Sequence, residues 1–162
     1  MPTLKSINPY TLKLNAEFET ISLDETIKKI EIAHDAYLSW KETTINYKKG
    51  LFLKLADNLE AEIDECARLE TIEMWMLYSS SKAWLQKTAN LIRWFANNFE
   101  NILKETYYET EWLKVKEMYD SIWVIFWVAP WNFPFNQLLR AAVPNILAGN
   151  TQVYKHSSNV PL

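Results

Sequence analysis

Glycine is almost missing: Gly50 and Gly149 are the only 2 in 162 residues, where ordinary usage of about 7% would supply roughly 11. No Gly-rich phosphate-cradling loop can be assembled from two isolated glycines, and none is present. Cysteine is scarcer still. Cys66 stands alone, which excludes an internal disulfide, and nothing has the ligand spacing of a zinc site. Met1-Pro2-Thr3-Leu4-Lys5 does not open a secretory signal, so the expected compartment is cytoplasmic. Long apolar runs are absent too. The longest, Ile122 to Trp131, is half of the roughly 20 residues a membrane helix needs. Neither charge sign dominates: 17 basic and 20 acidic residues leave a net charge of −3, giving no general attraction for nucleic acid or an anionic membrane. There is no internal repeat, low-complexity tract or Ser/His/Asp arrangement.

What remains is an ordinary globular composition, 49% hydrophobic and 23% charged, long enough for one domain or for one domain and part of another. Asn8-Pro9-Tyr10 marks a turn between extended pieces, so the first 20 residues read as a strand or hairpin. Ser22-Leu23-Asp24-Glu25 fits a capping box, and the helix after it should pack through Leu23, Ile27, Ile30, His34, Tyr37 and Trp40. A lone histidine on that stripe is a structural residue. A second helical stretch from about Ile45 to Met74 carries Leu51, Leu55, Leu59, Ile63, Cys66 and Leu69 or Glu70 along one side. Cys66 is therefore a core thiol, flanked by Asp64, Glu65 and Glu70 where a nucleophile would need positive charge. One of Ser79 to Ser81 should cap a third helix to about Lys104, with Thr88, Ile92, Phe95, Phe99 and Ile102 inward.

After Thr106 the period changes to two, through Tyr108, Thr110, Leu113, Val115 and Met118, predicting a hairpin with Lys114 and Lys116 toward water. Ile122 to Val128 reads as a strand buried on both faces. Pro134 opens a helix to Ile146, Gly149 stops it, and Thr151 to Lys155 makes another strand. Strand, helix, strand at this spacing is a βαβ unit. Ligands of open α/β sheets bind at the carboxyl ends of the strands, which here hold Pro130-Trp131-Asn132 and Lys155. An asparagine amide there can donate to a developing oxyanion, and a lysine can bind ribose hydroxyls or a phosphate. A Trp-Asn turn can equally be packing and capping.

Five segments then fall into a familiar order: Asn8-Pro9, Leu69-Glu70-Thr71-Ile72-Glu73-Met74, Ala129-Pro130-Trp131-Asn132-Phe133-Pro134-Phe135, Ala148-Gly149-Asn150-Thr151, and Lys155-His156-Ser157-Ser158-Asn159-Val160-Pro161. Together they resemble the aldehyde dehydrogenase superfamily over almost the whole chain, and the last looks most like its succinate-semialdehyde dehydrogenase group. The resemblance implies an α/β chain: an amino-terminal strand and helices over residues 1–105, an oligomerisation-type hairpin over 106–120, and the first βαβ unit of an incomplete Rossmann-like doubly wound cofactor domain over 121–162. It implies that Asn132 helps form an oxyanion hole and that Val128, Ala129, Pro130 and Trp131 line the channel beside the nicotinamide ribose. Lys155 would contact the adenosine ribose. Where many NAD-preferring members carry a glutamate three residues after that lysine, Ser158 removes repulsion against a 2′-phosphate, so NAD or NADP is expected. The family's catalytic cysteine, general-base glutamate and glycine-containing cofactor loop lie beyond Leu162, so the chain alone is expected to be inactive. In the complete protein an aldehyde substrate, no metal and a homo-oligomer are implied. A noncatalytic module that docks on full-length subunits is the competing reading.

One departure concerns tryptophan. Trp75, Trp84, Trp112, Trp123 and Trp127 fall where the family commonly carries glycine, and these are five of the chain's 8 tryptophans. A left-handed helix-ending position costs a non-glycine roughly 1 to 2 kcal/mol, and overpacking a buried strand roughly 1 to 3. Exchanging the five would leave 7 glycines and 3 tryptophans instead of 2 and 8. The expectation is a gene whose UGA codons mean glycine, translated under a code in which they mean tryptophan; the competing reading is deliberate or drifted substitution in a fragment.

Overall fold

The computed structural model describes residues 2–162. The chain opens with an antiparallel hairpin, β1 (Thr3–Ile7) and β2 (Leu14–Glu19). Asn8 makes its turn: the Asn8 Oδ1 atom accepts from the Tyr10 and Thr11 amides at 2.9 and 3.0 Å. Helix α1 (Leu23–Trp40) begins at the expected capping box, in which Ser22 Oγ accepts from the Glu25 amide and the Glu25 carboxylate accepts from the Ser22 amide at 2.7 Å.

The second helical stretch is two helices. α2 (Ile45–Ala61) and α3 (Ile63–Met74) are divided at Glu62, whose φ of −102° and ψ of 14° leave the helical region. The buried face of α2 is Lys48, Phe52, Ala56 and Leu59; of the expected stripe Leu59 is buried and Leu55 packs against the core, but Leu51 is exposed and Phe52 and Ala56 take the inner positions. The difference has a packing cause. α4 (Tyr78–Ile102) packs against α2 and contributes Leu85, Ala89, Ile92, Ala96 and Phe99 to one core with Phe52, Ala56 and Leu59, the small Ala56 and Ala89 being fully buried in it. α4 is capped at Leu77 without a side-chain bond; Ser81, expected near the cap, is instead buried and donates to Glu70. Phe95 is half-buried and Ile102 is exposed.

The long hairpin is β3 (Thr106–Glu109) against β4 (Lys114–Glu117), and nearly every residue of it is exposed. β5 (Val124–Val128), α5 (Pro134–Leu147) and β6 (Thr151–Lys155) follow, with β5 and β6 parallel and adjacent. This is the expected βαβ unit. Val143 and Leu147 of α5 join the α2–α4 core. Trp40 ties α1 to the unit: its indole N–H donates to the Ile146 carbonyl at 2.8 Å.

Two expectations fail on burial. α1 has no buried residue, and Leu23, Ile27 and Ile30 remain exposed. β5 is covered on one face only, since Phe126 is 64% and Val128 54% exposed. The two-stranded sheet is too narrow to cover an 18-residue helix, and among the described residues no further layer covers Phe126 and Val128.

Candidate functional site

The parallel pairing of β5 and β6 runs in register from Val124 opposite Thr151 to Val128 opposite Lys155. The Ala129 amide extends it by donating to the Lys155 carbonyl at 3.1 Å. Val128, Ala129 and Lys155 are therefore held side by side at the carboxyl end of the sheet. The other end is clamped by Asn150, a buried residue whose Oδ1 accepts from the Ile122 and Trp123 amides at 2.7 and 3.1 Å. Nothing in the Ala148-Gly149-Asn150-Thr151 motif marks Asn150 for this task, because its acceptor role spans 28 residues and exists only after folding. Gly149 makes the tight return before it at φ 96°, where an added Cβ would lie 3.1 Å from Ser121 Cβ.

Beyond Ala129 the loop rises into solvent, leaving Pro130, Trp131 and Asn132 exposed. It ends at Phe133, the N-cap of α5, which has no side-chain cap of its own and is followed by Pro134 at the start of the helix. Glu70 compensates from another helix. Its buried carboxyl accepts from the Ser81 hydroxyl and is turned toward the Phe135 backbone N–H at the amino end of α5, which together oppose the rise that burial imposes on it. Asn136 adds a second tie, donating to the buried Thr88 hydroxyl at 2.8 Å, and the Phe133 ring lies 4.6 Å from that of Trp84. The loop carrying Asn132 thus springs from a fixed base.

Asn132 itself is oriented by Gln137, whose Nε2 approaches Asn132 Oδ1 at 3.5 Å. The Asn132 amide N–H groups have no acceptor among the described residues. Lys155 is exposed, with Nζ 3.1 Å from the His156 carbonyl. Ser158 lies in the following turn, exposed, and no hydrogen bond joins it to Lys155 or Asn132. The structure brings Val128, Ala129 and Lys155 together, with Pro130, Trp131 and Asn132 exposed on the loop that continues from Ala129 and Ser158 exposed in the turn after Lys155.

The other titratable candidates resolve as packing. Cys66 is buried and unpaired, and burial, with Glu62, Glu70 and Glu65 nearby, pushes its thiol up. His34 Nδ1 accepts from the Trp123 indole at 2.7 Å. Among the described residues no three His, Cys, Asp or Glu side chains gather where they could hold a metal, and no helix is long and apolar enough to cross a membrane. Open clefts of about 440 Å³, between α1 and β6, and about 400 Å³, between α4 and α5, both lie away from Asn132.

Residues 2–162 match the aldehyde dehydrogenase family. The chain belongs to that family. It is 34% identical over 158 residues to a probable NADP(+) succinate-semialdehyde dehydrogenase of Synechocystis, covering 98% of this chain and 35% of the relative. It is 32% identical over 155 residues to an NAD(P)+ succinate semialdehyde dehydrogenase of Escherichia coli K12, covering 96% of this chain and 34% of that one. Among solved structures, the Streptococcus pyogenes succinic semialdehyde dehydrogenase with NADP+ superposes at a TM-score of 0.93 and 28% identity, over 98% of this chain and 35% of that chain. A structure of Gox0499 superposes at 0.95 and 28% identity, over 99% of this chain and 36% of that chain. The chain spans about a third of the length of these aldehyde dehydrogenase relatives.

Proposed function

We propose that the chain is the amino-terminal part of an NAD(P)-dependent aldehyde dehydrogenase that oxidises an aldehyde, with succinate semialdehyde the first to test, to a carboxylic acid. The observation that carries this is the carboxyl edge of β5 and β6. It holds an exposed cation, Lys155, against an exposed apolar wall at Val128, with the unengaged amide donors of Asn132 on the loop above. That edge suits a dinucleotide: a lysine for ribose hydroxyls or phosphate, and Val128, Ala129, Pro130 and Trp131 as a wall against the nicotinamide ribose. When bound, the nicotinamide supplies the hydride acceptor. Ser158 offers no negative charge against a 2′-phosphate, which supports acceptance of NADP beside NAD.

Asn132 acts at the carbonyl. When a thiolate attacks the aldehyde, negative charge develops on the oxygen, and an Nδ2 N–H already free of other partners donates to it without reorganisation. Gln137 Nε2, 3.5 Å from Asn132 Oδ1, favours the amide rotamer that leaves the Nδ2 end for the substrate. The thiolate and the base that activates water belong to the remaining two thirds of the family's length. On this reading no turnover is expected from the 162 residues alone.

The test is NAD(P)H formation from succinate semialdehyde by the complete gene product, beside the 162-residue chain. Turnover is expected from the first only. Asn132→Ala should lower kcat about 100- to 1000-fold with little change in aldehyde KM, and Lys155→Ala should raise the cofactor KM. Turnover by the isolated chain, or an Asn132→Ala enzyme as fast as the parent, would sink the proposal.

A further inference from the structure

Two helices of this chain run out into a residue with positive φ, and they do so differently. α5 ends through Ala148 into Gly149, at φ 96°. α3 ends at Trp75, at φ 58° and ψ 33°, with its amide donating to the Thr71 carbonyl. This left-handed position is where glycine ends helices, because any Cβ crowds the adjoining backbone. An indole adds nothing to offset the crowding here: Trp75 is 62% exposed, and its ring neighbour is Tyr10, itself exposed.

Trp127 carries a different penalty. It lies in β5 opposite Tyr154, on the face shared by Ile125 and Gln152. Its indole N–H is buried without an acceptor, and both polar ends of the Gln152 amide beside that strand are unpartnered as well. A donor taken out of water and given nothing in return weakens the fold. Trp112 is 92% exposed in the Thr110–Leu113 turn joining β3 to β4, where a large apolar ring gains nothing from water and short hairpin loops favour glycine.

Of the tryptophans outside this group, Trp131 stands half-exposed on the loop after β5 and the other four have neighbours. Trp40 donates its indole N–H to the Ile146 carbonyl, under Lys48 Nζ at 5.4 Å, and Trp94 packs edge-on against Phe95. Trp84 and Trp123 have also found neighbours, in Phe133 and His34. They join the first group not by strain but because they too stand at positions where the resembled family commonly carries glycine, in a chain with 8 tryptophans against 2 glycines.

We propose that the natural polypeptide carries glycine at 75, 112 and 127, and through the same codon at 84 and 123. UGA is the one codon that variant codes assign to tryptophan in some lineages and glycine in others. A sequence read under the wrong code would exchange these two residues and no others, which is the imbalance seen. The inference is independent of the catalytic reading.

Reading the codons and the peptide masses of the protein isolated from its own cells tests it. TGA is expected at 75, 84, 112, 123 and 127, TGG at 40, 94 and 131, and glycine in every peptide covering the five. TGG at 75 or 127, or a tryptophan mass there, overturns it. A second measurement uses the 162-residue chain. Trp75→Gly should unfold at a higher urea concentration than Trp75→Ala, since alanine removes the indole but keeps the Cβ; an equal or lower midpoint overturns the assignment at 75.

Discussion

Glu70 and Glu73 show how much of this chain is decided by single buried groups. Both lie on the inner face of α3, both are almost fully buried, and burial raises both carboxyls above their ordinary 4.5. Ser81 and the Phe135 amide oppose the rise at Glu70. At Glu73 the Leu162 amide, donating at 2.9 Å, Ser6 and the nearby His156 do the same. A carboxyl with a raised folded value binds its proton more tightly folded than unfolded. Its stabilisation is complete below pH 4.5 and is lost as pH rises through the raised value. Surface carboxylates pull the other way. Glu60, bonded by Arg93 and Gln86, falls to about 2, so its contribution is present above 4.5 and disappears toward pH 2, weakened throughout by solvent and salt. Glu70→Gln keeps an acceptor for Ser81 and Phe135 without the charge. It should match or exceed the parent's stability at pH 7 and lose that advantage near pH 4.5, in urea titrations across pH. Glu70→Leu strands both donors and should cost about 1 to 3 kcal/mol. A Gln variant much weaker than the parent at pH 7 would mean the charge itself is needed.

At the scale of elements, local signals and packing contribute differently. The α1 capping box is wholly local, three residues apart, and it forms as read. Because α1 buries nothing fully, its cap is a large share of what holds it. Ser22→Ala should cost about 1 kcal/mol and fray the first turn, visible as faster amide exchange at Glu25 and Thr26. Normal protection there would show that tertiary contacts fix the helix start. α2 and α3 make the contrast. Their apolar residues continue one stripe through Glu62, yet Glu62 leaves the helical region and α3 turns its carboxylates Glu70 and Glu73 inward. Periodicity cannot show this, because a buried glutamate looks polar until its partners, Ser81 and Ser6, arrive from α4 and β1.

Across the whole molecule, apolar surface is unusually open. Phe126 and Val128 on β5, the stripe of α1 and the hairpin residues Tyr107, Tyr108, Leu113 and Val115 all face solvent, and each two-stranded sheet leaves edges unpaired. Such edges pair with other chains. The isolated chain should therefore associate as its concentration rises, measured by sedimentation velocity. Phe126→Lys should reduce that association while shifting stability by no more than about 0.5 kcal/mol. Unchanged association would place the contact on the hairpin instead.

By itself the sequence determined the order of elements except for the break at Glu62 between α2 and α3, the βαβ unit, and the placing of Asn132 and Lys155 beyond and at strand ends, because caps, turns and periodicities act within a few residues. The shortage of glycine beside an excess of tryptophan was legible for the same reason. Only the tertiary structure decided the pairing of Val128 with Lys155, the Asn150 clamp, the Glu70 carboxyl turned toward the amino end of α5, and which apolar faces stay uncovered. Those depend on groups dozens of residues apart, and a polar side chain declares its partner only when folding removes the water it would otherwise bind.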